Sequence, residues 1–364
     1  MLAGSAAVAV LLGGCDGGSV PVLPPTPTPV PGGWTCPGGD LLIEGPAGAR
    51  AVTDALLTTY AETCRNKARI INESTSSEQA TTSFVNGLVN VAITDIPTLS
   101  ESNQRQAQRR CSDSEVWHLP MMVSPIALQY NVPELEGLKL TPTVLAQIFT
   151  GAIDTWDDPA IARLNPDADL PDEKIQVFFS SGNDGTTEAV NRWLSATAPK
   201  WWPANSATSS WRGKGEAKNS ADEIASSLRS TDYSIGYIDV AAASRRPNEV
   251  RLPYAQIDNG HGPVLLSSSS VRKALEGATV PTDNNNLIVA QNYTDLGPDA
   301  YPLSKVTYFE TCARSQPPDR TAVLKELISF SAAEQTQDVF AGDGAVPLPT
   351  PIRDRVSQVA GTIE

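Results

Sequence analysis

The sequence predicts an α/β protein in which strands and helices alternate in layers. From Asp40 onward, short strand-like apolar runs alternate with segments whose apolar residues recur at helical spacing. The chain has 364 residues, of which 40% are hydrophobic, so it can bury the cores of two domains of ordinary size. Alternation of this kind favours sheets with a mostly parallel core.

The first predicted sheet comes from the segment between Leu41 and Asp95. Its expected elements, in order, are strand 41–45, helix 47–64, strand 68–72, helix 77–89 and strand 90–95. Ligands of such sheets bind beyond the carboxyl ends of the strands. Gly45, the segment 74–77 and Asp95 occupy those ends, so we expect them to face one crevice.

A second block of alternating elements follows. Its predicted strands are 125–131, which is a candidate to cross between domains, 175–179, 235–238 and 305–310. Its predicted helices are 143–149, 156–164 and 320–331. We expect Asp157, Asp158 and Pro159 in the first turn of the helix 156–164, because acidic residues and proline favour that position.

The most informative stretch is the small, polar turn that joins strand 175–179 to the next helix. It runs from Ser180 to Gly185, and Ala189, Val190 and Trp193 then follow at helical spacing. A helix N-terminus carries N–H groups without intrahelical partners and a partial positive charge, so such a turn can bind an anion. The alternative is an N-capped turn that binds nothing.

The charge and the residue counts exclude several function classes. With a net charge of −14 and no basic block, the chain is a poor nucleic-acid binder, although backbone N–H groups can still bind an anion locally. It has 2 histidines, His118 and His261, which excludes a histidine-rich metal site; we expect no metal and no cofactor. Because no nucleophile–base pair with a usable histidine is visible, we do not expect an enzyme.

The N-terminus predicts an exported lipoprotein. The apolar run 6–12 is too short to span a bilayer, and Leu12-Gly13-Gly14-Cys15 is similar to a bacterial lipobox. We interpret residues 1–15 as a signal segment ending at a lipidated Cys15 on the outer face of the cytoplasmic membrane; an ordinary secretory signal is the alternative. Residues 16–37 form a proline-rich linker, which favours extended polyproline II.

Four further cysteines are expected to form two disulfides, because exported proteins fold in an oxidising space. Three pairings of Cys36, Cys64, Cys111 and Cys312 are possible. We favour Cys36 with Cys64, since one precedes the first predicted strand and the other precedes the second. This choice leaves Cys111 with Cys312.

Several segments, taken in order, resemble the phosphate-binding proteins of bacterial ABC phosphate importers, which have a type II periplasmic-binding-protein-like fold. The matching segments are the serine-led helix that leads to Asp95, Thr94–Pro97, Leu145–Gly151, Thr155–Pro166, Ser234–Tyr237, Tyr301–Leu303 and Val346–Pro349. The resemblance runs from about Leu41 to Glu364.

This resemblance implies a receptor with two lobes, a hinge between them and an oxyanion buried in the cleft. Each lobe would be a mostly parallel sheet flanked by helices. Lobe 1 would comprise residues 38–124 and 258–364, and lobe 2 residues 125–257. The implied protein is a lipid-anchored monomer that captures phosphate or a related oxyanion and delivers it to permease subunits in the membrane.

The resemblance also implies a set of ligand-binding residues. Asp95 matches the carboxylate that accepts the phosphate proton, and Ser77 matches the serine at the N-terminus of the second helix. Ala49 and Arg50 match backbone donors at the start of the first helix. Gly185 and Thr186 match the last donors of the turn after strand 175–179.

Two positions in that turn depart from the family pattern. Ser180 stands where the family has an arginine, and Asp184 where it has a serine. The exchange makes the cleft about two charge units less favourable for an anion. Either Arg50 restores a cation, or a protonated Asp184 donates to the anion. The alternatives are a neutral or cationic ligand bound through Asp95 and Asp184, and a sensory or interaction protein without a ligand.

Overall fold

The computed structural model describes residues 33–97, 100–243, 251–314 and 317–364. The predicted signal segment with Cys15 and most of the predicted linker lie outside these ranges.

The described residues form eleven strands and eleven α-helices. The strands are β1 (Gly39–Pro46), β2 (Ala68–Thr75), β3 (Val91–Thr94), β4 (Val116–Asn131), β5 (Lys139–Leu140), β6 (Gln176–Ser180), β7 (Glu216–Lys218), β8 (Ser234–Asp239), β9 (Gln256–Asp258), β10 (Pro263–Val264) and β11 (Ser304–Cys312). The helices are α1 (Arg50–Thr63), α2 (Ser77–Val85), α3 (Glu101–Arg110), α4 (Pro142–Thr150), α5 (Pro159–Leu164), α6 (Gly185–Thr197), α7 (Ala221–Ser230), α8 (Ser268–Glu276), α9 (Pro318–Ala332), α10 (Glu334–Gly342) and α11 (Thr350–Ala360).

Eight strands form one mixed sheet in the order β2-β1-β3-β11-β4-β8-β6-β7. At one end β1 pairs in parallel with both β2 and β3, and at the other end β6 pairs in parallel with both β7 and β8. The two parallel sets are joined by β11 and β4, which pair antiparallel with their neighbours. The predicted α/β class is thus confirmed, with an antiparallel centre that the sequence pattern did not reveal.

Strand β4 links the two halves of the sheet. Its first part pairs with β11 up to Pro125, and its last part, from Ile126, pairs with β8. The strand is 16 residues long, and all except its two terminal residues are buried. The run 125–131, predicted as a candidate crossing strand, is the second part of this element, which begins nine residues earlier at Val116.

Helix α5 begins later than the sequence pattern predicts. Asp158 lies outside the helix and caps it, since its side chain accepts a hydrogen bond from Ala160 N–H at 2.7 Å. Proline disfavours helical geometry in the residue before it, so Pro159 fixes the start of the helix. The prediction that the helix begins at Trp156 was therefore wrong.

The two favoured disulfides are present. Cys36 bonds to Cys64, and Cys111 bonds to Cys312 across 201 positions of sequence. Within the described ranges, no helix combines the length and the apolar character needed to cross a bilayer.

Candidate functional site

A cleft of about 530 Å³ lies at the carboxyl ends of the parallel strands of both halves of the sheet. Three helix N-termini border it, those of α2, α6 and α7, together with the turn 46–48 that precedes α1. The first-turn N–H groups of a helix have no intrahelical partners and carry partial positive charge. Their convergence on one space is suited to binding an anion.

The first helix N-terminus, that of α2, holds Asp95. Ser76 caps the helix through Gln79 N–H, which leaves the hydroxyl of the next residue, Ser77, directed at the end of β3. There the Ser77 hydroxyl donates to Asp95 Oδ1 at 2.5 Å, and Asp95 N–H donates back to Ser77 Oγ at 3.1 Å. The serine thus fixes the orientation of the carboxylate.

The second helix N-terminus is the turn that carries both departures from the family pattern. Asp184 is the N-cap of α6 and accepts a hydrogen bond from Thr187 N–H at 2.8 Å. The Ser180 hydroxyl donates to the other oxygen of the same carboxylate. Burial raises the pKa of Asp184 above its usual value, although these hydrogen bonds oppose the shift.

Gly185 brings the turn into direct contact with Asp95. Its backbone N–H hydrogen-bonds to the Asp95 carboxylate. A β-carbon at this position would lie 2.5 Å from both the carboxyl carbon and the carbonyl oxygen of Asp95. A residue without a side chain is therefore required here by close approach.

Lys305 supplies a buried cation that the sequence patterns did not predict. It projects from β11, is 5% exposed and lies between two carboxylates. Its Nζ is 2.6 Å from Asp95 Oδ2 and 2.9 Å from Asp239 Oδ2. Although burial favours the neutral amine, the two carboxylates raise the pKa of Lys305 above its usual value. Burial likewise opposes ionisation of Asp95, but Lys305, Ser77 and Gly185 hold the pKa of Asp95 below its usual value.

Asp239, the second partner of Lys305, is the last residue of β8, which lies on the other side of β11 from β3. Its Oδ1 accepts hydrogen bonds from the N–H groups of Ala241 and Ala242 at 2.9 and 3.2 Å. Its Oδ2 faces Lys305. A signal for both residues exists in the sequence: Lys305 is a charged residue at the start of the predicted strand 305–310, and Asp239 follows a predicted strand directly.

The charges of the cleft are mostly negative. Among the lining residues that the structure describes, Lys305 is the one cationic side chain, whereas the carboxylates are Asp95, Asp184, Asp239, Glu78 and Asp222. An anion bound here would have to contact Lys305, the helix N-termini and any carboxyl group that carries a proton.

Five of the eight predicted ligand-binding residues line this cleft, namely Ser77, Asp95, Ser180, Asp184 and Thr186. Gly185 contacts Asp95 and, together with Asp95, lines a second, smaller cavity. Ala49 is buried and Arg50 pairs with Asp54 at 3.2 Å, with its side chain 54% exposed. Neither lines the cleft, where the residues before α1 are Pro46, Ala47 and Gly48.

Comparisons with known proteins identify the family. A family model described as the PBP superfamily domain matches residues 33–335. The chain belongs to this superfamily. It is 32% identical to the phosphate-binding protein PstS 3 of Mycobacterium tuberculosis over 273 residues, which are 74% of this chain and 72% of that protein. It is 27% identical to phosphate-binding protein PstS2 of Mycobacterium bovis over 329 residues, or 89% of this chain and 87% of the relative.

The solved structures of this superfamily have the same fold. A phosphate-binding protein from Stenotrophomonas maltophilia aligns with a TM-score of 0.65 at 16% identity, covering 88% of this chain and 93% of that one. The two-lobed architecture that the resemblance implied is therefore confirmed for this PBP-superfamily chain, with β4 and β11 at the centre of the sheet.

Proposed function

We propose that this protein is an extracytoplasmic solute-binding protein that captures phosphate in the cleft and delivers it to an ABC importer. The observation that carries the proposal is the convergence of three helix N-termini on a cleft whose floor holds Lys305 and Asp95. Its sequence relatives support the ligand, since PstS 3 and PstS2 are named phosphate-binding proteins. A solved phosphate ABC transporter substrate-binding protein from Clostridium perfringens carries bound phosphate and aligns with a TM-score of 0.57 at 15% identity, covering 85% of this chain and 100% of that chain.

The donors of the proposed phosphate site are mostly uncharged. Thr186 lies in the first turn of α6, where N–H groups have no intrahelical acceptor, and it lines the cleft. The N–H groups of its neighbours Gly185 and Thr187 donate to Asp95 and Asp184. The backbone and hydroxyl donors at the start of α2 face the same space. Asp95 would accept a hydrogen bond from a proton that phosphate retains, because an ionised carboxylate can accept hydrogen bonds but cannot donate them.

Asp184 would act as a donor rather than an acceptor. Because burial raises its pKa, a bound anion can hold it in the protonated form, which offers an O–H group. This arrangement removes one negative charge from the cleft when the ligand binds. It would also couple phosphate binding to uptake of a proton.

The two lobes would close on the ligand around the centre of the sheet. We assign residues 38–124 and 258–364 to one lobe and 125–257 to the other, because β4 leaves its pairing with β11 and joins β8 at Ile126. In this proposal the protein acts as a monomer that docks on permease subunits, and it binds its ligand without catalysing a reaction.

Calorimetric titration of the purified protein tests the ligand. Phosphate should give a saturable heat, and arsenate, which has the same shape and charge, should compete with it. Sulfate is the matched comparison, because it carries no proton for Asp95 to accept at neutral pH. No heat with phosphate, arsenate or sulfate at millimolar concentration would sink the proposal.

A neutral or cationic ligand is the second candidate. It is favoured by the excess of carboxylates, Asp95, Asp184 and Asp239, over the single lysine Lys305 in the described lining. Under this alternative, the protein would stay inert to phosphate, and neutralising the carboxylates would abolish binding of the true ligand.

We also propose that Cys15 anchors the protein to the outer face of the cytoplasmic membrane. The support is the sequence Leu12-Gly13-Gly14-Cys15 after a short apolar run. The full chain should fractionate with membranes, and Cys15→Ser should release it into the soluble fraction. Unchanged fractionation of the variant would refute the anchor.

A further inference from the structure

We propose that Lys305 is the positive charge that holds the bound anion, and that Asp239 controls how strongly it does so. The inference rests on the proposed function and names the group that replaces the missing arginine of the turn 180–186. The family resemblance did not predict it, because Lys305 lies on β11, more than a hundred residues away in sequence.

The position of Lys305 satisfies the geometric requirement for this role. It lines the cleft together with Ser77, Asp184 and Thr186, so its ammonium faces the same space as the helix N-termini. An ammonium has three N–H donors. Asp95 Oδ2 accepts one of them at 2.6 Å, and Asp239 Oδ2 is an ion-pair partner at 2.9 Å. Nζ has no further partner among the described residues. A bound anion can therefore contact Lys305 without displacing Asp95.

Lys305 also has the charge that this role requires. The two carboxylates raise its pKa, so the side chain is cationic at neutral pH, where phosphate is an anion. At 5% exposure it is largely withdrawn from water, which strengthens its attraction for an anion relative to a solvated lysine. Arg50, the cation considered from the sequence, is half exposed and paired with Asp54 outside the cleft.

Asp239 competes with the ligand for Lys305. When Asp95 and Asp239 are both ionised, these two carboxylates and the Lys305 ammonium carry one net negative charge. A bound phosphate anion makes the total charge more negative. The competition resides in Asp239 Oδ2, because Oδ1 is engaged by Ala241 and Ala242 N–H. Replacing Asp239 by asparagine keeps the Oδ1 acceptor and removes the competing charge.

The two carboxylate partners come from strands on opposite sides of β11. Asp95 follows β3 and Asp239 ends β8, while Lys305 projects from the central strand β11. A purely structural lysine would join these two segments and make no contact with the ligand. The two roles make different predictions for Asp239→Asn. If Lys305 only joins the two segments, the variant weakens that link and does not improve phosphate binding. If Lys305 holds the anion, the variant binds phosphate more tightly.

The test is a calorimetric titration with inorganic phosphate of the full chain and four variants. Lys305→Met should weaken binding about 30-fold to 100-fold, the loss expected for one charge-assisted hydrogen bond in a desolvated site. Lys305→Arg should retain most of the affinity, because it keeps the positive charge. Lys273→Met is the matched control, since Lys273 pairs with Asp299 on the exposed surface, and its affinity should not change.

Asp239→Asn should tighten phosphate binding about three-fold to ten-fold, because it leaves the ammonium with one carboxylate. This variant keeps the buried lysine, so it tests whether Lys305 holds the anion even if Lys305→Met does not fold. Unchanged or weaker binding in Asp239→Asn, or wild-type affinity in a folded Lys305→Met, would overturn the role of Lys305. Absence of phosphate binding in the unaltered protein would instead overturn the proposed function, and this inference with it.

Discussion

Ser180 and Asp184, the two residues at which the turn departs from the family pattern, are hydrogen-bonded to each other. The Ser180 hydroxyl donates to Asp184 Oδ2, while Asp184 Oδ1 caps helix α6 through Thr187 N–H. The departures therefore form one local unit, in which an aspartate performs the capping that a serine performs equally well. The turn keeps its fold without the arginine.

The first prediction concerns a variant that restores the arginine and the serine of the family pattern in the turn after β6. In the double variant Ser180→Arg with Asp184→Ser, serine retains the N-cap and the arginine adds a bidentate donor to the cleft. Phosphate affinity should rise by about ten-fold or more, as expected for one added charge-assisted contact. Calorimetry measures it, and Asp184→Ser alone serves as the control. If the double variant binds phosphate no more tightly than the control, the added arginine makes no further stabilising contact with the anion, and Lys305 already supplies the cation.

The second prediction concerns Asp95→Asn. The variant keeps the shape of the side chain but loses the ionised acceptor that Lys305, Ser77 and Gly185 stabilise. Phosphate binding should weaken by about 10-fold to 100-fold near neutral pH, because hydrogen bonds to charged groups contribute about 1.5–3 kcal/mol. The affinity should also depend differently on pH, since an amide can donate to a fully deprotonated phosphate oxygen.

The control for Asp95→Asn is Asp299→Asn, which makes the same change in an exposed residue paired with Lys273. Thermal unfolding of both variants separates loss of the site from loss of the fold. If Asp95→Asn is folded and binds phosphate as tightly as the parent, with an unchanged pH profile, Asp95 is not an acceptor of the ligand proton.

The third prediction compares two glycines of the same turn. In Gly185→Ala, the new methyl group would lie 2.5 Å from the Asp95 carboxyl carbon, whereas at Gly182 nothing lies within 4 Å. Gly185→Ala should lower the free energy of unfolding by about 1–3 kcal/mol and weaken phosphate binding, because it overpacks the contact with Asp95. Gly182→Ala should change stability by less than about 0.5 kcal/mol. Urea unfolding measures both, and equal effects at the two positions would contradict the close contact.

The order of elements could be predicted because it depends on local patterns. Apolar periodicity identified β1, α1 and β3, and it found α6 from Ala189, Val190 and Trp193. The antiparallel insertion of β11 between β3 and β4 could not be predicted this way, since residues 91–94 and 304–312 are far apart in sequence. The start of α5 was missed because the aspartate cap and the proline restriction compete with apolar spacing at Trp156.

The site could be predicted only where its residues belong to a recognisable segment. Ser77 and Asp95 were found because a helix start and a strand end are visible in sequence. Lys305 was missed because its partners, Asp95 and Asp239, lie 210 and 66 positions away, and only the sheet order brings them together. A charged residue within a strand that is buried along its whole length indicates such a partner.

A buried acid at a distance from the cleft gives the last prediction. Glu310, also on β11, is fully buried and accepts a hydrogen bond from the Thr81 hydroxyl at 2.6 Å. His118 Nε2 lies 4.0 Å from the same carboxyl oxygen. Burial raises the pKa of Glu310 from its usual 4.5 to about 7, and burial lowers the pKa of His118 from 6.5 to about 4. Both groups are therefore neutral in the folded protein over much of the range between these values.

Glu310→Gln should become more stable relative to the parent as pH rises. The folded parent prefers protonated Glu310, so the stability from this group is complete below pH 4.5 and is lost as pH rises through about 7. Glutamine stays neutral, so the difference in free energy of unfolding should grow between these pH values by an amount on the order of 3 kcal/mol. The titration of His118, whose stabilisation is lost as pH falls through about 4, is common to both proteins and largely cancels in the difference. Urea unfolding at pH 5, 6, 7 and 8 measures the effect, with exposed Glu62→Gln as the matched substitution; a difference for Glu310→Gln that is flat or falls with pH would show that the buried acid is already ionised.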